Sequence, residues 1–159
     1  MTRIKGLGEA RRYRQIANAT FNWSNALATA ADTTPNTPFY KLGGHETMQA
    51  ICNRFYDLME SESEYAELRA MHAQDLGPMR KALPMFLAGW AGGPRDWFDA
   101  NPGRCMMSVH KPYTIGKAVA GQWADAMQRA IADIAPEDAQ LAKAMGDVLG
   151  DLARGMGRD

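Results

Sequence analysis

The apolar residues of this chain recur at intervals of three and four along four long segments, and no segment shows the two-residue alternation of a half-buried strand. Such a chain can bury a core only by packing helix against helix. Met48, Ile51, Phe55 and Leu58 or Met59 mark the first face, and Leu76, Met79, Leu83, Phe86 or Leu87, and Trp90 the second. Ile115, Val119, Trp123, Met127 or Ala126, Ala130 and Ile134 mark the third; Leu141, Met145, Val148 or Leu149, Leu152 and Met156 mark the fourth. Asp75 and Pro78 read as the start of the second helix. Pro84 falls inside it and should bend it by removing one backbone hydrogen bond. Thr114 reads as the cap of the third helix, Ala135-Pro136 as its end, and Glu137 and Asp138 favour the start of the fourth. The predicted fold class is all-α, and 159 residues are one domain's worth with enough chain for a core without staples.

Between the second and third helices the rhythm lapses. The sequence GGPRDWFDANPGRCMMSVHKPY holds turn formers, two aromatic anchors in Trp97 and Phe98, the turn Asn101-Pro102-Gly103, and then His110. A long aperiodic stretch inside a compact domain usually serves a site. Other chemistries fall away: there is no phosphate-binding glycine loop, paired-histidine zinc helix or serine nucleophile elbow. With only His45, His72 and His110, a multi-histidine metal site would need all three to converge. Cys52 and Cys105 are too few and too far apart for a disulfide framework or a zinc motif.

Formal net charge is zero, which gives no general attraction to nucleic acid or to an anionic membrane. No apolar run reaches the roughly 18 residues of a spanning helix. The amino-terminal arm, residues 1–38, departs from this balance, carrying about +3 against about −3 for the remainder. Phe21, Trp23 and Leu27 predict a short helix in it, followed by a turn-rich linker. Asn22, Ser24 and Asn25 interrupt the apolar centre that a signal peptide needs, so a cytoplasmic location is expected.

Taken together, Gly92-Gly93-Pro94, His110-Lys111-Pro112-Tyr113 and Trp123 resemble the group II truncated haemoglobins, small two-over-two helical globins of bacteria and plants. The likeness runs from about residue 39 to 156, and its specificity lies in the combination. It implies a truncated globin-like two-over-two helical sandwich over residues 39–159, with residues 1–38 an extra, helical N-terminal arm. It implies haem b as cofactor, with His110 as the proximal iron ligand. Leu83, Phe86, Met107, Val109, Ile115 and Val119 are the candidates for the apolar slot that holds the macrocycle.

On the distal side the resemblance points to Tyr56, His72, Met79 and Trp123. Periodicity alone reads Tyr56 as a tyrosine at a core margin, Trp123 as a core tryptophan, and His72 as a solvated histidine between helices. The family instead aims the tyrosine hydroxyl and the indole N–H at the bound ligand, and sets Met79 at the ligand entry with Leu83 one turn deeper. In one respect the chain departs from the pattern. Arginines that pair with haem propionates are commonly placed just before the histidine, whereas here Met107, Ser108 and Val109 stand there, leaving Lys111, Arg104 or Arg95 as substitutes. The function implied is binding of dioxygen and other diatomic ligands, with nitric oxide or peroxide chemistry fed by an unidentified reductase, in a monomer or homodimer. The competing reading is a globin-like module that has lost haem and serves as a sensor or scaffold.

Overall fold

The computed structural model describes residues 35–159, so the predicted arm helix around Phe21 and Trp23 lies outside the described residues. A single turn, α1 (Pro38–Lys41), leads into α2 (Gly44–Ser61). A 3-10 turn at Ser63–Tyr65 and the short α3 (Ala66–Ala70) follow, then α4 (Gly77–Trp90). Two five-residue helices follow: α5 (Asp96–Ala100), in a stretch that reads as loop in the sequence, and α6 (Met106–His110), where the sequence reads as a helical segment from Arg104 to Val109. The long helices α7 (Lys117–Ile134) and α8 (Ala139–Met156) complete the chain. Among the described residues the only β pairing is an isolated bridge between Gly116 and Arg158.

The principal contacts are α7 with α8, α2 with α7, and α2 with α4, which is the two-over-two arrangement of two helix pairs. The apolar faces read from the sequence are the buried ones. Met48, Ile51, Cys52, Phe55, Leu58 and Met59 of α2 are essentially inaccessible, as are Leu87 of α4 and Ala124, Met127 and Ala130 of α7. Small residues on α8 let it approach α7 closely. Gly146 faces Ile131, and Gly150 faces Ala124 and Gln128.

Helix boundaries show where local signals win. Asp138 caps α8, its Oδ1 accepting the Leu141 N–H at 2.9 Å, as its position in the sequence suggests. Asp75 accepts the N–H of Gly77 at 2.8 Å, one residue ahead of the helix cap itself at Leu76. Thr114 does not cap α7. Helix formation begins only at Lys117, because Ile115 and Gly116 are drawn into an extended pairing with the chain after α8. The turn after α4 needs its glycines: Gly92 takes φ +88°, and a Cβ on Gly93 would lie 2.5 Å from the ring of Phe39. That ring is thereby pressed onto the end of α4, where the Phe39 N–H donates to the Ala91 carbonyl at 3.0 Å.

Candidate functional site

His110 ends α6, and its surroundings prepare one of its two ring nitrogens. Nδ1 lies 2.7 Å from the carbonyl oxygen of Met106, one turn earlier on the same helix. A carbonyl only accepts, so Nδ1 carries the proton and the neutral ring presents its lone pair at Nε2. A backbone carbonyl fixing one nitrogen while the other stays free is the arrangement that readies a histidine for a metal. Ser108 closes the first turn of the same short helix. Its hydroxyl accepts the Cys105 N–H and donates to the Cys105 carbonyl, both at 2.9 Å. The serine standing where the related family places a basic residue therefore shapes the helix that carries His110.

The distal candidates converge through Phe55. Its ring packs edge-on against Tyr56 at 4.9 Å between centroids and tilts against Trp123 of α7 at 5.3 Å. Tyr56 is 1% exposed, and its ring meets that of His72 edge-on at 6.2 Å. Tyr56, Trp123 and His72, from three different elements, thus form one cluster. Among the described residues neither the Tyr56 hydroxyl nor the Trp123 indole N–H has a hydrogen-bond partner, and neither atom is sealed from a water-sized space. Two hydrogen-bond donors set in an apolar cluster without partners are suited to a ligand that accepts. Burial, reinforced by the neighbouring Cys52 thiol, pushes the Tyr56 hydroxyl pKa upward, so it stays a protonated donor at neutral pH.

His72 joins this cluster on different terms. Its Nδ1 lies 2.8 Å from the Leu68 carbonyl and must carry the proton, so the neutral ring offers only an acceptor at Nε2. It can donate to a ligand only as the imidazolium.

The residues expected to line the apolar slot differ in burial. Phe86 is buried beneath Trp97 and Phe98, with ring centroids at 5.1 and 5.5 Å. Leu83, Met107, Val109, Ile115, Val119 and Trp123 are only half-buried, a set of large apolar surfaces on three helices and the loop before α7 that a macrocycle would cover. Met79 is 39% exposed, consistent with a position at an entrance rather than in the core. Of the candidate basic groups, Arg95 lies over the ring of Phe98 at 4.9 Å, while Arg104 and Lys111 are exposed and form no ion pair among the described residues. With a fixed histidine, an apolar slot and unpaired distal donors, the residues present fit haem.

Arg80 is the site residue that periodicity does not reveal. Its guanidinium lies 5.6 Å from the centroid of the Tyr56 ring, donates to the Asn53 carbonyl at 3.0 Å, and pairs with Asp57 and Glu60. It clamps α4 to the turn of α2 that carries Tyr56. The signal available in the sequence is a pair of carboxylates three apart on α2, Asp57 and Glu60, and an arginine beside Lys81 early in the largely apolar α4. Tyr65 is similarly held, donating to Asp125 and accepting from Arg129 at 3.1 Å. Gln122 accepts the Leu68 N–H at 3.0 Å. These contacts fix α3, and with it the carbonyl that orients His72.

A two-over-two helical bundle with a histidine at the end of a short helix before α7 and a Tyr–Trp pair joining α2 and α7 is a truncated globin. The chain belongs to the bacterial-like globin family, whose profile matches residues 37–156. It is similar to the cold-adapted truncated haemoglobin of Pseudoalteromonas haloplanktis, at 30% identity and TM-score 0.73, over 77% of this chain and 98% of that one. Similar too is the group II 2-on-2 haemoglobin of Agrobacterium tumefaciens, at 28% identity and TM-score 0.73, over 82% and 98%. A thermostable haemoglobin from Thermobifida fusca matches at 28% identity and TM-score 0.67, over 77% and 97%. The resemblance to group II truncated haemoglobins therefore holds, and the chain is a haem-binding globin.

Proposed function

We propose that this globin holds haem b through Nε2 of His110 and retains dioxygen by hydrogen bonds from Tyr56 and Trp123. Haem iron, when bound, would supply a site for a diatomic ligand and a centre for electron exchange. The side chains do the rest. The Met106 carbonyl holds the His110 tautomer and ring orientation. Leu83, Phe86, Met107, Val109, Ile115 and Val119 would hold the macrocycle, and Met79 would stand at the entrance. Arg104 and Lys111 are the cations free to meet the propionates, in place of the arginines this chain lacks before His110.

The observation that carries the reading is the Tyr56–Phe55–Trp123 cluster with its two unpartnered donors. Donors aimed at a ligand that gains negative charge slow its release and favour chemistry on it. Two of them in an aromatic cluster suit retention, and hence redox or detoxifying chemistry on nitric oxide or peroxide fed by a reductase, better than bulk oxygen delivery. The test is to purify the chain with haem available. A Soret band with reversible, slow dioxygen release is expected, and protein that takes up no haem would refute the reading.

A further inference from the structure

The loop between His110 and α7 is exposed at Lys111, Pro112, Tyr113 and Thr114. Among the described residues two backbone hydrogen bonds tie it, besides the Gly116 carbonyl that accepts the Ala120 N–H at 3.0 Å as α7 begins. At its near end the Tyr113 N–H donates to the His110 carbonyl at 3.0 Å; at its far end the Arg158 N–H donates to the Ile115 carbonyl at 2.8 Å. The far anchor comes from the short segment beyond α8. Gly116 is extended, at φ −72° and ψ 156°, and pairs in parallel with Arg158. Gly157 lies so close to α7 that a Cβ there would stand 3.0 Å from the Ala120 Cβ and 3.0 Å from the Lys117 Cα. Lys117 and Asp159 add an ion pair at 2.7 Å, with both side chains mostly exposed.

We propose that Gly157, Arg158 and Asp159 form a strap that positions the proximal loop, and that through the loop they set the orientation and retention of His110 on its metal. The inference rests on the reading of His110 as the haem ligand. Solvent-exposed ion pairs contribute little, so the Lys117–Asp159 pair is the minor part. The backbone hydrogen bond and the close approach of Gly157 carry the positioning. No side chain caps the start of α7, whose N-cap residue is Gly116. Few other backbone hydrogen bonds hold the loop among the described residues, so loss of this tie falls on the loop and not on the helical core.

The test compares two substitutions in the full chain. Arg158→Pro deletes the donating N–H, whereas Arg158→Ala keeps it. Three readouts are taken: deuterium uptake of residues 111–119, the iron–histidine stretching band of the ferrous ligand-free protein, and haem transfer to an acceptor apoglobin. Arg158→Pro is expected to raise uptake in residues 111–119, shift or broaden the band, and speed haem transfer about three- to tenfold, the effect of one lost hydrogen bond. Arg158→Ala should match wild type on all three. Should Arg158→Pro reduce overall helicity, Gly157→Ala lifts the strap instead and is expected to act in the same direction. The proposal is overturned if strap variants with intact helicity match wild type, or if Arg158→Ala behaves like Arg158→Pro. Wild-type protein without a histidine-ligated haem would refute the ligand reading instead, and deuterium uptake of the haem-free chain would still report on the strap.

Discussion

The side-chain amide of Gln49 on α2 donates to the backbone carbonyl of Arg80 on α4 at 3.0 Å. Arg80 lies four residues before Pro84, and Pro84 has no N–H to fill that carbonyl. The helix runs through its proline because a neighbouring helix supplies the missing donor. Losing Gln49 should therefore cost about 0.5–1.5 kcal/mol. The cost should shrink when Pro84→Ala restores the intrahelical bond. A double-mutant cycle of Gln49→Ala with Pro84→Ala in chemical denaturation measures the coupling, and additive effects would show that the two residues are unrelated.

The pair also marks what the sequence could and could not disclose. The helices were legible because burial of Met48, Ile51 and Phe55, or of Leu141, Met145 and Leu149, imposes a period that sequence records directly. His110 stood out as the histidine of an aperiodic stretch, two residues before Pro112, but only the resemblance to a family assigned it a role. Gln49 to Arg80, Arg80 to Tyr56, Tyr65 to Asp125 and Arg158 to Ile115 were not, because each joins residues far apart in the chain through a polar contact that leaves no period. Thr114 failed as a cap for the same reason, since a distant strand-like pairing outcompeted a local propensity. The helix Asp96–Ala100 escaped notice because five residues are too few to show a rhythm.

Tyr56→Phe and Trp123→Phe each remove one donor while leaving an aromatic ring against Phe55. A hydrogen bond to a partly charged acceptor is worth about 1.5–3 kcal/mol, and about 1.4 kcal/mol is tenfold in rate. Dioxygen release should accelerate by about one to two orders of magnitude in each variant. Carbon monoxide, a weaker acceptor, should respond less. Stopped-flow rates equal to wild type in both variants would return these residues to ordinary core packing.

Alkaline pH should destabilise the fold through groups buried in their protonated form. Burial raises the pKa of Cys52, of Tyr56 and of Tyr65, the last also through its hydrogen bond to Asp125. The folded state therefore keeps protons that the unfolded state releases above about pH 8.5 for the thiol and about pH 10 for the phenols. Stability is whole below those values and falls as pH rises beyond them, by about 1.4 kcal/mol per buried tyrosine near pH 11. Thermal midpoints measured across that window, with tyrosinate absorbance followed in parallel, check the sign. Tyrosinate appearing for Tyr56 and Tyr65 before unfolding would contradict it.

The central claim is that His110 is the proximal ligand, and His110→Gly in the presence and absence of added imidazole tests it most directly. The glycine variant should lose stable haem binding, and imidazole entering the vacated space should restore a histidine-like Soret spectrum, because the slot and the distal donors remain. A His110→Gly protein that keeps the wild-type haem spectrum without imidazole would contradict the account.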